Sequence, residues 1–296
     1  MAGPDCTSGD RQKILVATDL SARSDRALDR AAFLAGRWQV PLVVLNVIET
    51  TGVPGQAEPL PSWKQPTDRV NAARKTIAAD LGNIAVKTTI IVEEGDPVDA
   101  IMRTAEKENC GLIVIGTARN EFLAMLGLGR TVDGLIRHSH VPLLVVKKRA
   151  RETYRNVVVA TDFSESSRHA LEAAIRFFPR QPLTVFHAYE PPMSGLMSDP
   201  DAYRREYRAV AEQDCAAFLK GTELLKGERQ SPHVLIECGP PGQLLREYVN
   251  DKAVDLVVLG SHGRSAVFDV LIGSVAKQLL DDLPCDALVI REPRAP

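Results

Sequence analysis

The sequence predicts an α/β fold in two tandem doubly wound domains, each a five-stranded parallel sheet with helices on both faces. Three observations carry this. Short Val/Ile/Leu runs recur along the 296 residues without clean alternation, as in strands covered on both faces. Between them lie stretches with helical apolar spacing. The chain also repeats itself: Val16-Ala17-Thr18-Asp19-Leu20-Ser21 returns as Val159-Ala160-Thr161-Asp162-Phe163-Ser164, Glu94-Gly95-Asp96-Pro97 aligns with Cys238-Gly239-Pro240-Pro241, and Gly116 and Gly129 align with Gly260 and Gly273. The offset hardly drifts, so both halves share one fold almost without net insertion.

Each half reads β-α-β-α-β-α-β-α-β. In the second half the expected strands lie near Arg155–Thr161, Pro182–Tyr189, His233–Glu237, Val254–Gly260 and Cys285–Arg291. Ala170, Leu171, Ala174, Ile175 and Phe178 form one helical stripe, and Leu244, Leu245, Tyr248 and Val249 another. Strands alternating with helices require right-handed crossovers and a parallel sheet. Long Pro/Gly/Ser-bearing loops, Glu49–Asp68 and Glu190–Ala202, follow each second strand. Met193, Leu196 and Met197 give the latter loop an adaptable apolar face, suited equally to a lid, a partner surface or packing. The charged run Lys147–Thr153 is the expected linker, dividing domains 1–150 and 151–296.

Composition narrows the function classes. Apolar content of 45% and charged content of 25% are ordinary for a globular protein. Residues 1–150 hold 19 Lys/Arg against 17 Asp/Glu and residues 151–296 hold 17 against 21; neither half carries the dense basic patch of a nucleic-acid binder. Five scattered cysteines without a C-x-x-C read as reduced thiols. No apolar run has the length of a membrane span, and Met1–Arg11 has no signal-like core. The expectation is a cytoplasmic protein without nucleic-acid or membrane partners.

The chemistry concentrates in Gly260–Ser274. Gly260-Ser-His-Gly263 leaves a strand tip, and nine residues later Gly273-Ser274 opens a helix. Free backbone N–H groups and the positive helix end both favour a phosphate there. In doubly wound sheets the ligand crevice lies beyond the carboxyl ends of the strands at the point where winding reverses. If the first and fourth strands are neighbours, Asp162 and the glycine loop face each other across that crevice. In the first half Arg119 replaces the middle glycine and Arg130 the serine, which reads as a closed site or a site for another anion; the closed site is the expectation.

Each residue has a plainer reading. Asp162 followed by Glu165 resembles a helix-capping box, and Asp19 in the degraded half favours a structural role. Gly260 and Gly263 could be turn glycines, and Ser274 alone an ordinary N-cap; only the constellation points to a ligand. Arg264 is either a phosphate partner or a solvated charge. His262 reads as a loop residue, and His138-Ser-His140 lacks companion metal ligands.

With the Thr161-Asp162 strand end and the G-x2-G-x9-G-S loop in place, and with Gly-Ser-His-Gly-Arg-Ser spanning Gly260–Ser265, the chain resembles tandem universal stress proteins over essentially its whole length. No G-x4-G-K-[ST] phosphate loop is present, and Val132 stands where a dinucleotide fingerprint after Gly127-Leu-Gly129 needs glycine. The resemblance implies an adenine nucleotide alpha hydrolase-like fold binding ATP, with Mg or Mn as the accompanying metal and no metal ligands assigned. It implies Asp162 at the nucleoside and the Ala188 backbone along the adenine. Gly260, Ser261, Gly263 and Arg264 would line ribose and phosphates, and Gly273, Ser274 and Val275 would donate N–H groups to the phosphate chain. It also implies a pseudo-dimer of the two domains within one chain, with a homodimer as an option, and regulation rather than efficient catalysis. The alternatives are a slow ATP hydrolase, disfavoured without a phosphate-loop lysine or an evident base, and a scaffold or apolar-ligand carrier.

Overall fold

The computed structural model describes residues 12–49, 68–82, 84–117, 129–192, 198–222, 231–262 and 273–291. The chain divides into two compact units, Met1–Leu135 with Val145–Ala150 and Ile136–Leu144 with Arg151–Pro296.

In the first half the elements run β1 (Lys13–Thr18), α1 (Ala22–Trp38), β2 (Leu42–Ile48), α2 (Arg69–Leu81), β3 (Thr88–Glu94), α3 (Pro97–Lys107), β4 (Cys110–Gly116), α4 (Arg130–His138) and β5 (Leu143–Val146). The second half repeats the pattern: β6 (Val157–Ala160), α5 (Glu165–Phe177), β7 (Leu183–Tyr189), α6 (Pro200–Gly221), β8 (His233–Cys238), α7 (Pro241–Asp251), β9 (Leu256–Gly260), α8 (Ser274–Asp282) and β10 (Asp286–Ile290). Strand order is β3-β2-β1-β4-β5 in the first half and β8-β7-β6-β9-β10 in the second. The paired strands for which register is resolved are parallel, among them β1 with β2 and β4, and β6 with β7 and β9. The winding therefore reverses between β1 and β4, and again between β6 and β9.

The central strands are buried almost throughout, as their unbroken apolar runs require; Leu256, Val257 and Val258 of β9 are fully buried, as are Ile14, Leu15 and Val16 of β1. The stripe read on α5 is the buried one, with Ala170, Leu171, Ala174 and Ile175 inward, and Leu245 and Val249 anchor α7. Helix starts follow local chemistry. Asp96 accepts from the N–H groups of Val98 and Asp99 ahead of Pro97, and Asp199 accepts from Ala202 ahead of Pro200. Both pairings use the fixed φ of proline at the first helical position. The duplication extends to backbone angles: Gly95 and Gly239 both sit at φ 141°, where side chains are strained, and both N–H groups donate to the end of the neighbouring strand, at Ile48 of β2 and Tyr189 of β7.

Candidate functional site

The site is built from two strand ends. β6 and β9 are hydrogen-bonded neighbours, Val159 opposite Val258, so the turn after β6 and the loop after Gly260 open at one end of the sheet, at the winding reversal.

The turn after β6 is one motif used twice. Thr161 Oγ1 and Ser167 Oγ lie 2.8 Å apart, Phe163 N–H donates to Thr161 Oγ1 at 2.9 Å, and Ser164 N–H donates to Asp162 Oδ1 at 3.1 Å. In the first half Thr18 Oγ1 meets Ser24 Oγ at 2.9 Å, Leu20 N–H donates to Thr18 Oγ1 at 3.0 Å, and Ser21 N–H donates to Asp19 Oδ1 at 2.9 Å. The hydroxyl protons can be assigned. Ser167 Oγ donates to the Ser164 carbonyl at 2.9 Å; a serine has one proton to give, so Thr161 donates to Ser167. The residue after each aspartate takes a left-handed conformation, Leu20 at φ 61° and Phe163 at φ 63°.

This geometry revises the plain reading of Asp162. The N-cap of α5 is Ser164, whose hydroxyl accepts from Ser167 N–H. Asp162 lies two residues earlier and closes an Asx turn with one carboxylate oxygen. Asp19 does the same in the first half, so this turn role needs no ligand.

The neighbouring strand supports the turn in a way the sequence motifs did not single out. His187 Nδ1 lies 2.8 Å from the Thr161 carbonyl, and the matching Asn46 Nδ2 donates to the Thr18 carbonyl at 2.8 Å. The signal was available only in register: β7 runs beside β6 with Ala160 opposite Phe186, which brings His187 next to Thr161. Ala188, the next residue, is half-buried at the end of β7.

On the other side of the crevice, Gly260 is fixed by packing. A Cβ there would collide with Ser166 Oγ and stand 2.9 Å from the backbone carbon and oxygen of Ser166 in α5. Ser261 is fully buried. Its N–H donates to the Ile290 carbonyl at 2.9 Å, its carbonyl accepts from Gly273 N–H at 3.1 Å, and its hydroxyl lies 2.7 Å from His262 Nδ1. Ser261 thus ties the end of β9 to β10 and to the start of α8, and its polar groups are engaged within the protein.

Gly273 is the N-cap of α8, with no side-chain cap, and its carbonyl accepts the first helical bond, from Lys277 at 2.9 Å. The N–H groups of Ser274, Val275 and Ala276 have no acceptor inside the helix, and Val275 is 48% exposed. The corresponding first-half helix, α4, opens on Arg130, which is exposed. Of the remaining expected site residues, Gly263 and Arg264 lie outside the described residues, as do Arg119 and the Met193–Met197 segment. The β6–β9 pairing sets the Asp162 turn and Gly260–Ser261 at one end of the sheet, and the Gly273–Ser261 hydrogen bond brings the start of α8 to the loop after β9. Among the described residues no group of three or more His, Cys, Asp or Glu converges as metal ligands do, and no helix is long and apolar enough to cross a membrane.

Comparison with known proteins agrees with the duplicated architecture. The model of the universal stress protein family matches twice, over residues 10–147 and 153–291. A universal stress protein of Mycolicibacterium smegmatis is 26% identical across 94% of this chain and 96% of its own length. One of Mycobacterium tuberculosis H37Rv is 25% identical across 94% and 97%. Among solved structures, a protein of unknown function from Pseudomonas aeruginosa PAO1 superposes with a TM-score of 0.68 at 21% identity, covering 96% of this chain and 94% of that one. A universal stress protein from Archaeoglobus fulgidus gives 0.61 at 22% identity, covering 95% and 96%.

Proposed function

The chain belongs to the universal stress protein family, with two family domains in tandem, and from that premise we propose that it is a regulatory protein that binds ATP in its second half. The observation that carries the proposal is the asymmetry between two equivalent helix starts. α8 begins on Gly273-Ser274 with no side-chain cap, beside the reversal point between β6 and β9, and so offers backbone donors and a positive helix end to an anion. The equivalent α4 follows Gly129, whose carbonyl likewise accepts the first helical bond, from Asp133, so the two starts differ in Arg130 against Ser274.

In this reading Asp162 and the Ala188 backbone face the nucleoside. Gly260 and Ser261 shape the loop, Gly263 and Arg264 border the phosphates, and the N–H groups of Ser274 and Val275 receive the phosphate chain. Gly273, whose own N–H is held by Ser261, serves as the cap that keeps those donors bare. No catalytic residue is assigned. The bound nucleotide, with Mg or Mn on its phosphates, acts by stabilising one conformation or assembly.

Isothermal titration of the full chain with ATP tests this. Wild type binds, while Gly263→Arg and Ser274→Arg, which write the first-half residues into the second half, weaken binding at least tenfold. A wild-type chain that takes up no ATP, or variants that bind as wild type does, overturns the proposal.

A further inference from the structure

The repeat offers an internal control at the turn bearing Asp162. In both halves a side chain from the second strand donates to the carbonyl of the threonine, Asn46 to Thr18 and His187 to Thr161, each at 2.8 Å. A carbonyl can only accept, so His187 carries its proton on Nδ1. The second half adds an aromatic contact at this place. The ring of Phe163 lies on the His187 imidazole, with centroids 4.1 Å apart and planes 31° from parallel, and it also meets Phe218 at 5.6 Å. Phe218 is 3% exposed, and Arg168 fixes it by donating to its carbonyl at 3.2 Å with the guanidinium 5.2 Å from the ring centroid.

Asp162 therefore stands between two residues held by one imidazole: Thr161 through its carbonyl, Phe163 through its ring. Phe163 is also the residue in the left-handed conformation, at φ 63°. That backbone is uncommon for a bulky side chain and persists only where the surroundings hold it. We infer that His187 is a positioning residue, which clamps the Thr161–Phe163 turn and so presents the Asp162 carboxylate to the nucleoside in a single orientation. The consequence for ligand affinity rests on the nucleotide reading above; the clamp does not.

Three variants of the full chain separate the parts. His187→Asn keeps a donor to Thr161, as Asn46 does for Thr18, and removes the stack. His187→Leu removes the donor. Phe163→Leu copies Leu20 and removes the stack alone. Amide hydrogen exchange at Phe163 and Ser164, whose N–H groups close the turn, reports the clamp without ligand. In His187→Leu both amides exchange at least tenfold faster than in wild type, while amides in β9 are unchanged. In His187→Asn the protection returns to within about threefold of wild type. The 15N spectrum of the neutral ring shows the Nδ1–H tautomer.

Unchanged exchange in His187→Leu, or exchange in His187→Asn as fast as in His187→Leu, overturns the clamp. With ATP, His187→Leu and Phe163→Leu bind more weakly than wild type and His187→Asn recovers part of the loss. If all three bind as wild type does, the positioning role is overturned even where the clamp stands. A wild-type chain that binds no ATP removes the nucleotide reading and the positioning role with it, and exchange alone then judges the clamp.

Discussion

Gly134 in α4 and Val98 in α3 fit together as a small residue against a branched one: a Cβ on Gly134 would stand 2.7 Å from Val98 Cγ2. The second half solves the same contact with the roles exchanged. Gly242 in α7 aligns with Val98, and Gln278 in α8 aligns with Gly134. There a Cβ on Gly242 would meet the Gln278 amide at 3.4 Å. Valine is stiff at χ1, whereas glutamine can swing away. Gly134→Ala should therefore destabilise by about 1–3 kcal/mol through overpacking, outweighing the helix-propensity gain of about 1 kcal/mol. Gly242→Ala should be neutral or stabilising by up to about 1 kcal/mol, and Val98→Ala should relieve Gly134→Ala. Urea unfolding of the four proteins checks this, and equal effects at the two glycines would contradict it.

Gly260 is one of the residues that the family resemblance sets along ribose and phosphates, yet its environment gives it a packing role first. A Cβ there meets Ser166 Oγ and, at 2.9 Å, the backbone of Ser166. The hydroxyl can be removed and the backbone cannot. Gly260→Ala should lower stability by about 1–3 kcal/mol, and Ser166→Ala should restore only part of it. Thermal unfolding without nucleotide is the measurement; full rescue would mean that the backbone contact yields. Loss of ATP binding in Gly260→Ala is consequently weak evidence for a phosphate contact, and Gly263 and Ser274 are the informative positions.

These two glycines mark what the sequence made legible. Strand ends were readable to within about two residues because buried parallel strands are unbroken apolar runs between turn residues. The Glu49–Asp68 loop ends at Asp68, the N-cap of α2, which accepts from Asn71. The second loop, expected to run to Ala202, ends three residues earlier: α6 begins at Pro200 behind its cap Asp199, an Asp-Pro start of the kind sequence can reveal. The adjacency of β6 and β9, which the sequence offered only as a condition, comes from the strand order of the fold, and the contacts around the two strand ends come from register. That Ser164 rather than Asp162 caps α5, that Ser261 is spent on β10 and α8, and that His187 reaches Thr161 all depend on register between strands distant in sequence. No local pattern encodes those contacts.

Thiol reactivity offers a direct probe of the same burial pattern. Of the four described cysteines, Cys110, Cys215 and Cys285 are buried and Cys238 is exposed at the end of β8. Burial pushes the Cys110 thiol up to about 11, and burial also raises Cys215. The thiolate is the nucleophile, and a thiol at about 11 is only ~0.1% ionised at pH 8. Iodoacetamide at pH 8 followed by peptide mapping should find Cys238 modified well before Cys110 and Cys215. Modification of Cys110 at a similar rate would show that β4 opens readily.

Asp25, in the first turn of α1, supplies a pH test of the first half. Burial is the larger cause that raises its pKa, followed by the carboxylates of Asp80, Asp29 and Asp19. A raised native pKa means that the folded chain holds this proton more firmly than the unfolded one, whose value is the ordinary 3.8. The associated stability is therefore fully present below 3.8 and is lost as pH climbs through the higher native value. Asp25→Asn abolishes the titration, so the stability of the variant relative to wild type should rise with pH just above 3.8 and level off toward neutrality. The side chain is exposed, and solvent screening holds the change to about 0.5 kcal/mol or less. Urea unfolding of both proteins at pH 4, 5, 6 and 7 measures the difference. The helix dipole works in the opposite sense, favouring the carboxylate near the start of α1. A difference that falls with pH would show that the dipole outweighs burial and the neighbouring carboxylates.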